Sequence, residues 1–210
     1  RLKGPVGTSI SIGLLRDAQR VKLNVTRERI EIESVIGDHR DSENKWVYRL
    51  ADRPDIAYLR ITSFGDKTVE EITTALSNLK DDYLGLILDL RGNGGGLLNS
   101  AVDISDMFIS EGRIVSTRTR GGVLEDQFDA EQKVLVKAER PIAVLIDQDS
   151  ASASEILAAC LQDHERATVV GKRSFGKGTV QNVLPLQYGR SALRLTVARY
   201  YRPNGKNIHL

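Results

Sequence analysis

The chain has 210 residues, of which 40% are hydrophobic, so it is long enough to bury one substantial core. Its 30 Lys and Arg residues nearly balance 28 Asp and Glu residues, which argues against a broad basic face for nucleic acid or an anionic membrane. No stretch approaches the roughly 20 apolar residues that a membrane span requires. The composition therefore predicts an ordinary globular protein without a nucleic-acid partner.

The first part of the chain predicts a small β unit followed by a loop. Two short β-branched runs, at 9–15 and 21–27, flank a polar turn and predict a hairpin. Residues 36–45 are polar and charged, which is typical of a linker or an exposed loop. We therefore expect a domain boundary near residue 35.

Strands and helices alternate in the pattern from residue 56 onward. A strand at 56–64, a helix from Thr68 to about Lys80 and a buried strand at 84–90 have the order of a βαβ unit. Thr68 and Glu71 have the spacing of a capping box. The order recurs in a helix at 101–109, strands at 113–119 and 141–146, a helix at 153–162 and a strand at 167–170, and runs at 179–186 and 192–201 predict a closing hairpin. The predicted fold class is α/β.

A glycine cluster follows the buried strand that ends near residue 90. Residues 89–96 read Asp-Leu-Arg-Gly-Asn-Gly-Gly-Gly. Such a run can adopt positive φ and present successive backbone N–H groups to an anion or a developing oxyanion. A flexible strand-to-helix turn explains the same pattern equally well. The glycine order does not fit a nucleotide-binding loop.

Three serines lie where the strand at 141–146 meets the next helix. Residues 149–155 read Asp-Ser-Ala-Ser-Ala-Ser-Glu. A hydroxyl at such a junction is exposed, and the helix N-terminus stabilises negative charge beside it, as in a nucleophile elbow. Capping or packing explains Ser150 and Ser154 better than catalysis does. Sequence chemistry alone does not choose among the three.

A lysine between two glycines is the third candidate. Lys177 lies in residues 173–181, Arg-Ser-Phe-Gly-Lys-Gly-Thr-Val-Gln, between strand-like segments. Burial favours the uncharged amine, which can act as a base. A lysine in a loop is more commonly just solvated, so this pattern alone is weak.

Other catalytic groups are poorly placed in the sequence. His39, His164 and His209 lie in a polar loop, at a helix end and beside the last residue, which is typical of surface histidines. A serine–histidine–aspartate triad would require one of them to reach Ser152. Cys160 lies in an apolar stretch and is expected to be a buried hydrophobe. No metal-binding spacing is present.

Taken together, the three motifs resemble the carboxy-terminal processing peptidases, also called tail-specific proteases, of the S41 serine peptidase family. The likeness covers roughly residues 55–208, including 58–64 and 197–205 outside the three motifs. It implies Ser152 as nucleophile, Lys177 as base and Gln181 as the group that orients the amine. It also implies an oxyanion hole at Ala153 and Gly96, with Gly95 as a further candidate. Glu155 and Asp163 match supporting positions.

The resemblance also implies an architecture and a setting. We expect a crotonase-like (ClpP/crotonase-type) core at 55–210, a loop at 36–54, and the last part of a truncated PDZ domain at 1–35. Because the first PDZ strands are absent, we expect weak or no activity from these residues alone. Relatives suggest protein substrates with free C-termini, no cofactor, a homo-oligomer, and a periplasmic, cell-envelope or thylakoid-lumen location.

Two other functions remain open on the same fold. One is a non-catalytic module that binds hydrophobic ligands such as retinoids, which some members of the wider family do. The other is an acyl-CoA enzyme of the crotonase type, which would not need Lys177. The joint presence of Ser152, Lys177 and Gln181 favours the peptidase.

Overall fold

The computed structural model describes residues 2–29, 32–119, 121–131, 134–186 and 191–208. The chain divides into two compact units that meet between Ile32 and Glu33. The domain boundary predicted near residue 35 stays a prediction.

The first unit contains one antiparallel hairpin, as predicted. Strands β1 (Ser9–Arg16) and β2 (Gln19–Thr26) pair without a break. The turn residues Asp17 and Ala18 have φ values of 49° and 61°. Positive φ at both central residues is typical of two-residue turns whose twist matches that of the strands. The assignment of this unit to a PDZ domain stays a prediction.

The second unit contains three helices and two larger sheets. Its elements are β3 (Val35–Ile36), β4 (His39–Arg40), β5 (Trp46–Val47), β6 (Ile56–Ile61), α1 (Thr68–Leu79), β7 (Gly85–Asp89), α2 (Leu98–Asp106), β8 (Arg113–Thr119), β9 (Leu124–Asp129), β10 (Ile142–Ile146), α3 (Ala153–Asp163), β11 (Thr168–Gly171), β12 (Thr179–Leu186) and β13 (Ser191–Tyr201). The first sheet has the order β11-β10-β7-β6-β3, in which β6, β7, β10 and β11 are parallel and β3 is antiparallel. The α/β prediction is confirmed.

The segment predicted as a loop at 36–54 belongs to the second unit. It contains β4, β5 and the second residue of β3, the strand that completes the first sheet. Glu71 helps to hold β3 in place, since its Oε2 accepts hydrogen bonds from the backbone N–H groups of Ser34 and Val35 at 2.8 and 2.9 Å. The predicted capping box is therefore wrong, because Lys67 is the N-cap residue and Glu71 reaches across to β3.

The second sheet is antiparallel, with the order β12-β13-β8-β9. The sequence pattern placed β8 in the repeating βαβ series, but β8 pairs with β13 and β9 instead. β9 was not predicted, because its residues, Leu-Glu-Asp-Gln-Phe-Asp, are mostly polar and exposed, as an edge strand tolerates. The predicted closing hairpin is confirmed as β12 and β13.

The core lies between the first sheet and the helices. Helices α2 and α3 pack on each other and on β8, while α1 packs on β6. α1 buries Ile72, Leu76 and Leu79 against the core, while Val69 is only half-buried. No helix in the described part of the chain is long and apolar enough to cross a membrane.

Cys160 on α3 is fully buried, and burial raises the pKa of its thiol to about 12. Since the thiolate is the reactive form, only about one thiol in ten thousand is ionised at pH 8. We expect iodoacetamide to leave Cys160 unmodified in the folded chain at pH 8 and to alkylate it in urea. Mass spectrometry measures the difference, and rapid alkylation of the folded chain would contradict the expected burial.

Candidate active site

Ser152 lies in a sharp turn between β10 and α3 and is the N-cap residue of that helix. Its backbone has φ 57° and ψ −113°, a conformation that non-glycine residues rarely adopt. Such strain costs about 1 to 3 kcal/mol and persists only where neighbouring structure imposes it. The half-buried Ser152 therefore occupies the strained strand-to-helix turn that presents a nucleophile.

The other two serines of this cluster are fully buried and have structural partners. Ser150 Oγ donates to the Leu90 carbonyl at 2.8 Å, and Ser154 Oγ donates to the Asn93 carbonyl at 2.9 Å. Both hydroxyls connect the serine turn to the glycine cluster. Of these three serines, only Ser152 has a hydroxyl that can reach a substrate.

The glycine cluster packs directly against the Ser152 turn. Gly95 has φ 100°, and a Cβ at this position would lie 2.8 Å from Ser152 Cβ and 3.0 Å from Ala153 N. Gly96 has φ 152°, and a Cβ there would lie 2.0 Å from the Phe64 carbonyl oxygen. Only glycine satisfies both the conformation and the space. The structure thus brings together the two segments that the sequence predicted for an oxyanion hole.

The three predicted oxyanion donors differ in their present partners. The Gly95 N–H donates to Asn93 Oδ1 at 2.8 Å. Ala153 is the first residue of α3, so its N–H has no acceptor within the helix. Within the described ranges, neither the Ala153 N–H nor the Gly96 N–H donates a hydrogen bond. This arrangement favours Gly96 and Ala153 over Gly95.

Sequence reasoning missed two residues that hold this site together, Asn93 and Asp147. Asn93 is fully buried, and its Nδ2 donates to the Ile61 carbonyl at 2.8 Å, while its carbonyl accepts from Ala151 N at 3.0 Å. Asp147 Oδ1 accepts a hydrogen bond from Gly92 N at 2.9 Å. Several hydrogen bonds lower the pKa of Asp147, and this one has the largest effect. An asparagine among glycines is unusual enough to be noticed in the sequence, but its hydrogen-bond partners could not be predicted from it.

Asp89 anchors the strand end from which the glycine cluster begins. Its buried carboxylate accepts hydrogen bonds from Tyr58 Oη at 2.7 Å and from Arg91 Nη2 at 2.6 Å. Burial alone would raise the pKa of Asp89, but these hydrogen bonds outweigh it and the pKa lies below its usual value. Burial and the Asp89 charge raise the pKa of Tyr58 to about 12. Near neutral pH, the ionised Asp89 carboxylate therefore holds the start of the glycine cluster in place.

Glu155 connects the Ser152 turn to the loop that carries Lys177. This buried carboxylate accepts four hydrogen bonds: Oε2 accepts from Ser152 N at 2.8 Å and Lys177 N at 2.9 Å, and Oε1 accepts from Gly176 N at 2.6 Å and Ser174 Oγ at 2.7 Å. Because Ser152 N and Lys177 N share one oxygen, they lie closer together than the sum of those two distances. The structure brings the predicted nucleophile and base segments side by side.

The side chains of Lys177 and Gln181 are not arranged as the sequence predicted. Lys177 is exposed, so the burial expected to favour an uncharged amine is absent. Among the hydrogen bonds of the described residues, none joins Lys177 Nζ to Ser152 Oγ or to Gln181. Gln181 is also exposed, and its Nε2 makes a long contact of 3.4 Å with Thr196 Oγ1.

Asp163 lies far from Ser152, at the other end of α3. Eleven residues of helix separate the two by about 16 Å. Asp163 Oδ1 accepts from Arg202 Nη2 at 2.5 Å and from Asn204 Nδ2 at 2.9 Å. It therefore fastens the turn after β13 to α3, which agrees with a supporting role.

No histidine in the described part of the chain contacts Ser152. His39 pairs with Asp38 at 3.1 Å. His164, at the C-terminal end of α3, has its Nε2 2.6 Å from the carbonyl oxygen of Arg113. His209 lies outside the described residues. Nor do the described residues contain a group of three or more His, Cys, Asp or Glu residues that could hold a metal ion.

Comparison with known proteins finds the same family as the sequence motifs. Residues 55–210 match peptidase family S41. A carboxy-terminal-processing protease from Bartonella bacilliformis is 40% identical over 99% of this chain and 46% of its own length. A carboxyl-terminal-processing protease from Synechocystis sp. is 36% identical over 100% of this chain and 47% of its own length.

A solved structure shares the fold over nearly the whole chain. The photosystem II D1 C-terminal processing protease superposes with a TM-score of 0.71 at 30% identity, over 98% of this chain and 54% of that protein. The chain spans about half the length of the curated relatives it matches.

Proposed function

Because the chain belongs to peptidase family S41, we propose that it carries the catalytic part of a serine endopeptidase that cleaves proteins near their C-termini. The observation that carries this proposal is the Glu155 carboxylate, which binds the backbones of Ser152 and Lys177 through one oxygen. A serine and a lysine held this way supply a nucleophile and a base for acyl transfer.

The reaction would use the site as follows. An uncharged Lys177 amine removes the Ser152 hydroxyl proton, and Oγ attacks the substrate carbonyl carbon. The N–H groups of Gly96 and Ala153 stabilise the negative charge that develops on the carbonyl oxygen. The protonated amine then gives its proton to the leaving amino group, and water hydrolyses the acyl-enzyme. Gln181 would orient the amine of Lys177.

The exposure of the Lys177 side chain affects the rate of peptide cleavage that we expect from this chain. Reaction requires the amine to turn toward Ser152 Oγ and lose contact with water, since water stabilises its charged form. This supports the expectation that the 210 residues alone turn over slowly. Family membership supports a periplasmic, cell-envelope or thylakoid-lumen location, and a homo-oligomer is a further proposal.

A serine-directed acylating probe tests the proposed nucleophile. We expect a fluorophosphonate to label Ser152, because its hydroxyl is accessible beside free backbone donors. Mass spectrometry of a digest locates the modified residue, Ser152→Ala should remove it, and Ser154→Ala should retain it, because Ser154 is buried. Labelling that persists in Ser152→Ala, or none after long incubation, would contradict the proposal.

A further inference from the structure

Two arginines lie directly opposite each other in the second sheet. Arg118 on β8 pairs in register with Arg199 on β13. Directly opposite residues of antiparallel strands share a face and have Cβ atoms about 5 Å apart. Like charges at such positions repel, so this placement costs stability unless an anion offsets it.

No carboxylate of the described residues forms an ion pair with either arginine. Among the ion pairs of the described residues, none includes Arg118 or Arg199. The Arg118 guanidinium lies over the Tyr201 ring, 4.7 Å from its centroid, and its Nε is buried without a hydrogen-bond partner. The Tyr201 ring thus holds the Arg118 guanidinium in place, while the Arg118 Nε–H group has no acceptor.

A cavity of about 540 Å³ opens beside Arg199, and it is also lined by Tyr201, over whose ring the Arg118 guanidinium lies. Its lining includes Arg199, Tyr201, Thr196 and Thr119. The volume falls in the range of sites that hold small ligands, and the lining offers hydroxyl groups and a cation. The cavity therefore suits a short polar segment that carries negative charge.

The strand that lines this cavity, β13, is joined to the connection that carries Lys177. Tyr200 N donates to the Gly178 carbonyl at 2.9 Å, which fastens β13 to the residue after Lys177. Arg199 pairs with Thr179, and beyond a β-bulge Gln181 pairs with Thr196 and contacts its hydroxyl.

We propose that Arg118 and Arg199 form a carboxylate-binding subsite for the polypeptide substrate. This inference rests on the proposed function. Guanidinium groups bind carboxylates through paired, charge-assisted hydrogen bonds, which gives this arrangement its selectivity. A carboxylate could be supplied by the substrate's C-terminus or by an Asp or Glu side chain.

Equilibrium binding to the Ser152→Ala chain tests the subsite without turnover. The probe is a short uncharged peptide, dye-labelled at its N-terminus, made as the free acid, as the C-terminal amide, and as amides with one internal Glu or Gln. We expect the free acid to bind about tenfold more tightly than the amide, measured by fluorescence anisotropy, as a charged hydrogen bond would give. A Glu-over-Gln preference would support the subsite with a side-chain carboxylate as its source.

Arg199→Gln should abolish whichever preference is found, because it removes one cation from the exposed side of the pair. Arg194→Gln is the matched control, since Arg194 is an exposed arginine on the same strand. Equal binding of all four peptides, or a preference that survives Arg199→Gln, would refute the subsite. Probe labelling of Ser152 is read separately, so its failure would refute the proposed peptidase while the binding result still judges the subsite.

Discussion

Replacing Lys177 by alanine is expected to lower the rate of peptide hydrolysis by about 10² to 10⁴-fold, the contribution usual for a general base. Without the amine, no histidine of the described site can take over as the base for Ser152, since none contacts that hydroxyl. Because we expect slow turnover, the measurement is single-turnover cleavage with protein in excess, followed by mass spectrometry.

Lys172→Ala is the matched control for this experiment. Lys172 is an exposed lysine at the start of the same connection between β11 and β12, five residues before Lys177. We expect it to cleave at the unchanged rate. The double variant Ser152→Ala/Lys177→Ala should be no slower than Ser152→Ala, because groups that act as a unit are not additive. Full activity in Lys177→Ala would end the assignment of the base.

Glu155→Gln is expected to slow both acylation of Ser152 and peptide cleavage while also lowering the free energy of unfolding. The carboxylate accepts four hydrogen bonds, and an amide would turn its NH₂ group toward donors on one side. Each buried group left unsatisfied costs about 1 to 3 kcal/mol. Urea unfolding measures the stability, and probe labelling of Ser152 measures the site.

Glu71→Gln separates the loss of stability from the loss of function. Glu71 also accepts several hydrogen bonds through one carboxylate, from Ser34 and Val35, but it lies on α1 and fastens β3. We expect a comparable loss of stability with unchanged labelling of Ser152. If the two variants slowed labelling equally, Glu155 would be a general stabilising residue and not a positioning residue for Ser152 and Lys177.

Elements with strong local patterns were predictable from the sequence. The first hairpin, α1, β7, β10 and α3 were all found within a few residues of their predicted positions, because each has a continuous apolar run or a clear period. Strand partners were not predictable: β8 looked like one more strand of a parallel series, yet it pairs with β13. A local pattern does not encode which distant strand completes the ladder.

The segments that form the site could be predicted from the sequence, but the arrangement of their side chains could be predicted less well. The glycine cluster and the serine turn meet as the sequence and its family resemblance predicted, and burial then distinguishes Ser152 from Ser150 and Ser154. The link from Glu155 to residues about twenty positions later was not readable, because such a bond depends on how two connections fold onto one another. For the same reason, the sequence did not reveal that the Lys177 side chain is exposed.

The crowding around Gly95 and Gly96 limits how a bound polypeptide could be selected. With a carbonyl oxygen and a serine carbon occupying the space of any Cβ, this edge of the cleft presents bare main chain. Main-chain groups recognise the amide bond that all residues share. Any discrimination between amino acids by the site proposed above would therefore have to come from residues other than Gly95 and Gly96.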